Sequence, residues 1–218
     1  PAKGGKRVLL INGKADASTG GDMGVQLLLG HLPLLLKPDA KQVFVIGLGC
    51  GMTAGAILKH PVERLDVCEI SPEVVRASRL FAKETGAPLD DPRTHVLEED
   101  ARIALALAPR RYDVVVSEPS NPWVAGIGAL FTEEHFRAVA AHLEDDGLAL
   151  QWFHLYECSD ELVALVLRTF MKVFPEVRIF TDRMRSDLLL VGAKRPGVLD
   201  VDLRALEARL ALPAVHAD

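Results

Sequence analysis

The chain has 218 residues, of which 49% are hydrophobic and 25% charged, with a mean hydropathy of +0.18. These values fit one soluble globular domain with a substantial core. A net charge of −5 argues against a nucleic-acid footprint.

In chain order, RVLLI (residues 7–11) reads as a short strand ending at the turn pair Asn12-Gly13. KADASTGGD is polar and glycine-rich, which predicts a loop. Asp22 then stands where it can cap a helix running from Met23 to Leu36, which Pro33 should bend or end. From here strands and helices alternate. QVFVIG is a β-branched strand, followed by LGCGM and the helical stretch TAGAILKH. LDVCEI is a strand, followed by SPEVVRASRLFAKET, a helix with Ser71 as N-cap, Pro72 at the first position and Glu73 in the first turn. THVLEED, YDVVVSE and GLALQWFHLY read as further strands. The helices between and after them are ARIALALA, TEEHFRAVAAHL capped by Thr132, and SDELVALVLRTFMKVF capped by Ser159 or Asp160. VRIFTD and DLLLVGA read as a closing antiparallel pair, and VDLRALEARLAL as a short tail helix.

Such alternation of short apolar strands with helices implies a parallel sheet covered on both faces. The fold class expected is α/β: a class I methyltransferase-like Rossmann fold with a seven-stranded, mostly parallel sheet and an antiparallel edge. The simplest division is an N-terminal β element and loop (residues 1–22), one Rossmann-like α/β domain (23–195) and a C-terminal tail helix (196–218). Cys50, Cys68 and Cys158 are far apart, without CxxC spacing or a Cys/His cluster, so neither a metal nor a disulfide framework is expected. A reducing, cytoplasmic location follows from that usage. No signal peptide is visible, and the apolar run VQLLLGHLPLLL is too short to span a bilayer. The chain begins at Pro1 rather than Met, which raises the expectation of a longer parent protein.

Chemistry-bearing residues gather at predicted strand ends, where open α/β sheets bind ligands. VIGLGCG places Gly47, Gly49 and Gly51 directly after the first central strand. Glycines there allow a tight turn and close backbone approach to a ligand. Their GxGxG spacing differs from the dinucleotide GxGxxG and is common where adenosylmethionine-type cofactors bind. Glu69, after the second strand, can accept both hydroxyls of a ribose. Asp100, after the third, can accept from an adenine amino group or cap the following helix; Glu98 and Glu99 compete for that place. Glu118, after the fourth, opens SEPSNPWVAG (residues 117–126), where two prolines, an amide and a tryptophan crowd one strand end.

These motifs, with INGKADASTGGDMGVQLLLGHLPLLL, DPR and ALFTEEHF, resemble the spermidine synthase (polyamine aminopropyltransferase) family over residues 9–193. They are most similar to its bacterial forms fused behind membrane transporter-like segments. The resemblance implies S-adenosylmethionine or its decarboxylated form as co-substrate, a small-molecule amine acceptor, no nucleic acid and a homodimer. It also implies an N-terminal membrane segment as an option in the full-length protein. By position, Glu69 would hold the ribose and Asp100 with the backbone of Ala101 the adenine. Gln26 and Asp16 would meet the cofactor, as would the glycine loop including Cys50. Glu118 would orient the amine and take its proton. Asn121 and Trp123 would line the acceptor pocket, although packing is an equal alternative for Trp123. The sequence departs from the family where DSSDP becomes EPSNP, where the acid of GGGDG becomes Cys50, and where a pocket tyrosine becomes Val25. His31 and His154 read as hydrogen-bonded structural histidines.

The leading reading is a transferase that alkylates an amine, aminopropyl transfer being favoured. A methyltransferase and a non-catalytic nucleoside-binding module are the alternatives. Activity on putrescine is the open point, because polar contacts to a cationic amine are lost at Val25, Cys50 and Asn121.

Overall fold

The computed structural model describes residues 6–11, 13–120, 126–181, 186–200 and 203–216. The chain opens with an antiparallel hairpin, β1 (Val8–Ile11) and β2 (Lys14–Ser18). The loop expected over KADASTGGD is therefore a strand in its first half. Leu9 pairs with Ala17 and both are buried against Cys50, Met52, Val74 and Phe81. Burial of this small apolar pair outweighs the polar composition around it.

Helix α1 (Met23–Leu36) contains Pro33 and continues past it, so the proline does not end the helix. Seven residues from Leu29 to Leu35 are buried, and that packing offsets the hydrogen bond Pro33 cannot donate. Asp22 precedes the helix but makes no side-chain cap bond. The alternating units follow: β3 (Gln42–Ile46), α2 (Met52–Leu58), β4 (Arg64–Cys68), α3 (Pro72–Ser78), α4 (Ala82–Thr85), β5 (Thr94–Leu97), α5 (Ala101–Ala106) and β6 (Tyr112–Ser117). The single helix expected from SPEVVRASRLFAKET is broken by a 3₁₀ turn at Arg79–Phe81 between α3 and α4. After β6 come α6 (Glu133–His142), β7 (Leu143–His154), α7 (Asp160–Val173), β8 (Glu176–Thr181), β9 (Asp187–Ala193), α8 (Leu203–Leu210) and α9 (Pro213–His216). Hydroxyl caps act as expected: Ser71 accepts from the Val74 N–H, Thr132 from His135 and Ser159 from Leu162. Among the described residues no helix is long and apolar enough to cross a membrane.

The seven strands β3–β9 form one sheet in the order β5-β4-β3-β6-β7-β9-β8. Neighbours are parallel from β5 to β7, and β9 is antiparallel to both β7 and β8. This is the class I methyltransferase-like Rossmann fold. Alternate residues feed cores on opposite faces. Val43, Val45, Val114 and Val116 pack on one side, and Phe44, Ile46 and Val115 on the other. Each such side chain stabilises the sheet by about 1.5–3 kcal/mol on burial. Chain order reverses between β3 and β6, and a crevice opens at the carboxyl ends of strands at such a switch point.

Candidate active site

A cavity of about 420 Å³ lies over these strand ends. The sheet order sorts its wall. Asp100 follows β5, Glu69 follows β4, Gly47 and Gly49 follow β3, Glu118 follows β6, Trp152 belongs to β7 and Asp187 begins β9. The hairpin contributes Asp16 from across the opening. Arg102 is the one cationic lining side chain among the described residues, and it is paired with Asp100 at 2.6 Å. Acidic side chains thus outnumber cationic ones along the described lining.

Glu69 is buried, and its two carboxylate oxygens accept from the backbone N–H groups of Leu48 (3.1 Å) and Ser71 (2.9 Å). Burial raises its pKa, while these two N–H groups pull it back. The carboxylate is held in one orientation, with further lone pairs for hydroxyl donors. Asp100 caps α5 by accepting from the Arg102 N–H at 2.8 Å, and hydrogen bonding to the Arg102 guanidinium lowers its pKa. Asp100 is thus a helix cap that also lines the cavity, as does Ala101.

Glu118 continues β6, its N–H donating to the Ile46 carbonyl at 2.9 Å. Its carboxyl meets the Thr53 hydroxyl of α2 at 2.6 Å. Burial pushes its pKa from 4.5 to about 8; the Thr53 hydrogen bond opposes this, and the charges of Asp16 and Asp22 add to it. A carboxyl so placed exchanges protons near neutrality. Asp16 in turn accepts from the Ser120 hydroxyl at 2.6 Å, which ties the hairpin to the segment after β6.

Gln26 is buried and lines the cavity, with both amide protons engaged. Nε2 donates to Asp22 (2.9 Å) and to the Ser18 carbonyl (3.3 Å), and Oε1 accepts from the Cys50 thiol at 3.0 Å. Burial pushes the Cys50 thiol up to about 12, so it is a neutral donor. Cys50 and Gly51 are not brought to the cavity surface. Cys50 anchors Gln26 from behind, and Gly51, at φ +88, starts α2. Asn121 and Trp123 lie outside the described residues.

A family model described as "Spermine/spermidine synthase domain" matches residues 22–187. The chain belongs to this family. The polyamine aminopropyltransferase of Thermotoga maritima is 30% identical over 170 residues, covering 73% of this chain and 54% of that protein. The chain thus spans about half the length of that relative. The polyamine aminopropyltransferase of Caldicellulosiruptor bescii is 28% identical over 219 residues, covering 96% and 78% of the two chains. A spermidine synthase solved in complex with the transition state analogue AdoDATO shares the fold at a TM-score of 0.80 and 24% identity, covering 97% of this chain and 81% of that one.

For a spermine/spermidine synthase domain, four of the acids and aromatics on the wall were invisible as site residues in the sequence. Asp22 looked like a cap, yet its carboxylate accepts from Ser18 and Gln26. Trp152 and Tyr156 sat in and after an apolar strand and carried no motif. Asp187 begins an edge hairpin remote in sequence. Only the antiparallel pairing of β9 with β7 sets it against the indole, whose Nε1 donates to it at 2.9 Å. The expected structural reading of His31 fits its buried contact with His60, ring nitrogen to ring nitrogen at 2.9 Å.

Proposed function

We propose that the protein transfers an aminopropyl group from decarboxylated S-adenosylmethionine to a small amine. The observation that carries this reading is the placement of Glu118 between two ends of one acidic cavity. The end at β4 and β5, with Glu69, Asp100 and Ala101, suits a nucleoside. The end at β7 and β9, with Trp152, Tyr156 and Asp187, suits an amine with an apolar body, through indole contact and a carboxylate. Decarboxylated adenosylmethionine carries two positive charges and no carboxylate. It suits a wall whose single described cation is already paired with Asp100. The carboxylate of intact adenosylmethionine would find no free cationic side chain among the described lining residues.

In this reading the acceptor arrives as an ammonium ion. Glu118, in its ionised form, takes one proton and leaves an amine lone pair. The nitrogen attacks the methylene carbon bound to the sulfonium. A C–N bond forms as the C–S bond breaks, and the bonding pair passes to sulfur, leaving neutral methylthioadenosine. The proton on Glu118 leaves to solvent. The glycine loop and Glu69 fix the nucleoside so that the reacting carbon faces the nitrogen in line.

The experiment supplies decarboxylated adenosylmethionine with a series of mono- and diamines and measures methylthioadenosine. Formation of methylthioadenosine with an alkylated amine is the expected result. Adenosylhomocysteine from intact adenosylmethionine would replace the reading with methyl transfer. Tight methylthioadenosine binding without turnover would replace it with a binding module.

A further inference from the structure

Thr53 stands behind Glu118 in a geometry that the acid/base role alone does not explain. It is buried in the first turn of α2. Its single hydroxyl lies 2.6 Å from Glu118 Oε2 and 3.0 Å from the backbone carbonyl of Gln26 in α1. Both neighbours can accept, and the hydroxyl has one proton to donate. Both contacts are hydrogen bonds together only when Glu118 is protonated: its O–H donates to Thr53, and Thr53 donates to Gln26. When Glu118 ionises, rotation about the Cβ–Oγ1 bond turns the same proton towards the carboxylate.

The spacing that permits this is set by Gly30. A Cβ there would lie 2.7 Å from the Thr53 carbonyl, so α1 and α2 pack backbone to backbone at this point. That approach brings the Gln26 carbonyl within reach of the Thr53 hydroxyl.

We propose that Thr53 is a positioning residue that holds the Glu118 carboxyl against α2 and serves both of its protonation states by turning one hydroxyl. This rests on the reading of Glu118 as the proton acceptor. A hydrogen bond to an ionised group is about twice as strong as one between neutral groups. The Gln26 carbonyl keeps its place in the α1 hydrogen-bond ladder when the hydroxyl is lost, so the difference falls on the carboxyl. The ionised form loses a charge-assisted bond and the protonated form a neutral one, and proton affinity rises, in keeping with the lowering effect of the Thr53 contact. The other groups facing Glu118 are fixed across the comparison. Asp16 approaches from β2 and Asp22 from the turn before α1, and both oppose ionisation. Cys50 in the glycine loop is a neutral thiol. Trp152 of β7 and Asp187 of β9 line the same cavity.

The test is a carbon-13 titration of side-chain carboxyls in glutamate-labelled protein, with the Glu118 signal identified by its loss in Glu118→Gln. Thr53→Val should raise the Glu118 midpoint by about 0.5–1 pH unit. Thr53→Ser should leave it near that of the unsubstituted protein. Thr53→Ala, expected to shift the same way, serves if the valine protein does not fold. An unchanged or lowered midpoint in the valine or alanine protein overturns the proposal, as does a serine protein that behaves like valine. The acidic limb of the turnover profile should move with the midpoint. A protein with no aminopropyl transfer at any pH would overturn the proposed function, while the carboxyl titration would still decide the role of Thr53.

Discussion

Gly47 and the carbonyl of Glu118 lie so close that a Cβ on Gly47 would overlap the carbonyl oxygen. Gly47 also holds φ +92, a conformation that resists side chains. Its N–H donates to the Cys68 carbonyl at 2.9 Å, and the Glu118 N–H donates to Ile46. The glycine loop and the Glu118 turn are thereby interlocked across β4, β3 and β6. Gly47→Ala should cost at least about 1–3 kcal/mol from backbone strain and should weaken methylthioadenosine binding. Denaturant unfolding and calorimetry measure the two effects. Gly24→Ala, in open space on α1, is the contrasting case and should stabilise by about 0.5–1 kcal/mol.

Glu118→Gln should lower the chemical step by about 10²–10⁴ while leaving nucleoside affinity near normal. In the unsubstituted protein the rate should rise as pH passes through about 8, where the base form populates. Stability runs the other way. Between 4.5, the ordinary value, and about 8, the folded state holds more protons at Glu118 than the unfolded state does. Its contribution to stability is therefore full below 4.5 and is lost as pH rises through that window. Thermal unfolding across pH should show a shallower decline in the glutamine protein.

Glu69→Ala and Asp100→Ala should separate by their effects. Glu69 is held by two backbone N–H groups and faces the cavity, so its removal should weaken methylthioadenosine binding by about 10–100-fold, from loss of a charged hydrogen-bond acceptor. Asp100→Ala also removes the cap of α5 and should cost about 1 kcal/mol of stability. Calorimetry and unfolding on both proteins check the contrast.

At the other end of the cavity, Asp187→Asn should raise the acceptor KM with little change in nucleoside affinity. Trp152→Phe removes the indole N–H that donates to Asp187 and should act in the same direction more weakly. Steady-state kinetics with each substrate varied in turn distinguishes the two ends.

The alternation of strands and helices, the hydroxyl caps at Ser71 and Thr132, the glycine loop, and the strand-end acids Glu69, Asp100 and Glu118 are all legible along the chain. Each is a local signal: a run of β-branched residues, a cap at a helix start, or a carboxylate directly after a strand. Tertiary structure alone decided what these acids meet. The Thr53 hydroxyl meets both Glu118 and the Gln26 carbonyl, the latter because Gly30 lets α1 and α2 approach, and no spacing in the chain encodes these contacts. Trp152 and Asp187 meet through an antiparallel register between strands separated by a whole helix and a further strand. Cys50, in the middle of the glycine loop, turns its thiol to Gln26 rather than to the cavity. The polar stretch after Gly13 pairs as a strand because Ala17 has Leu9 opposite it and a core beneath. Periodicity and turn chemistry are properties of neighbours along the chain. The charge, reach and partners of a site are properties of neighbours in space.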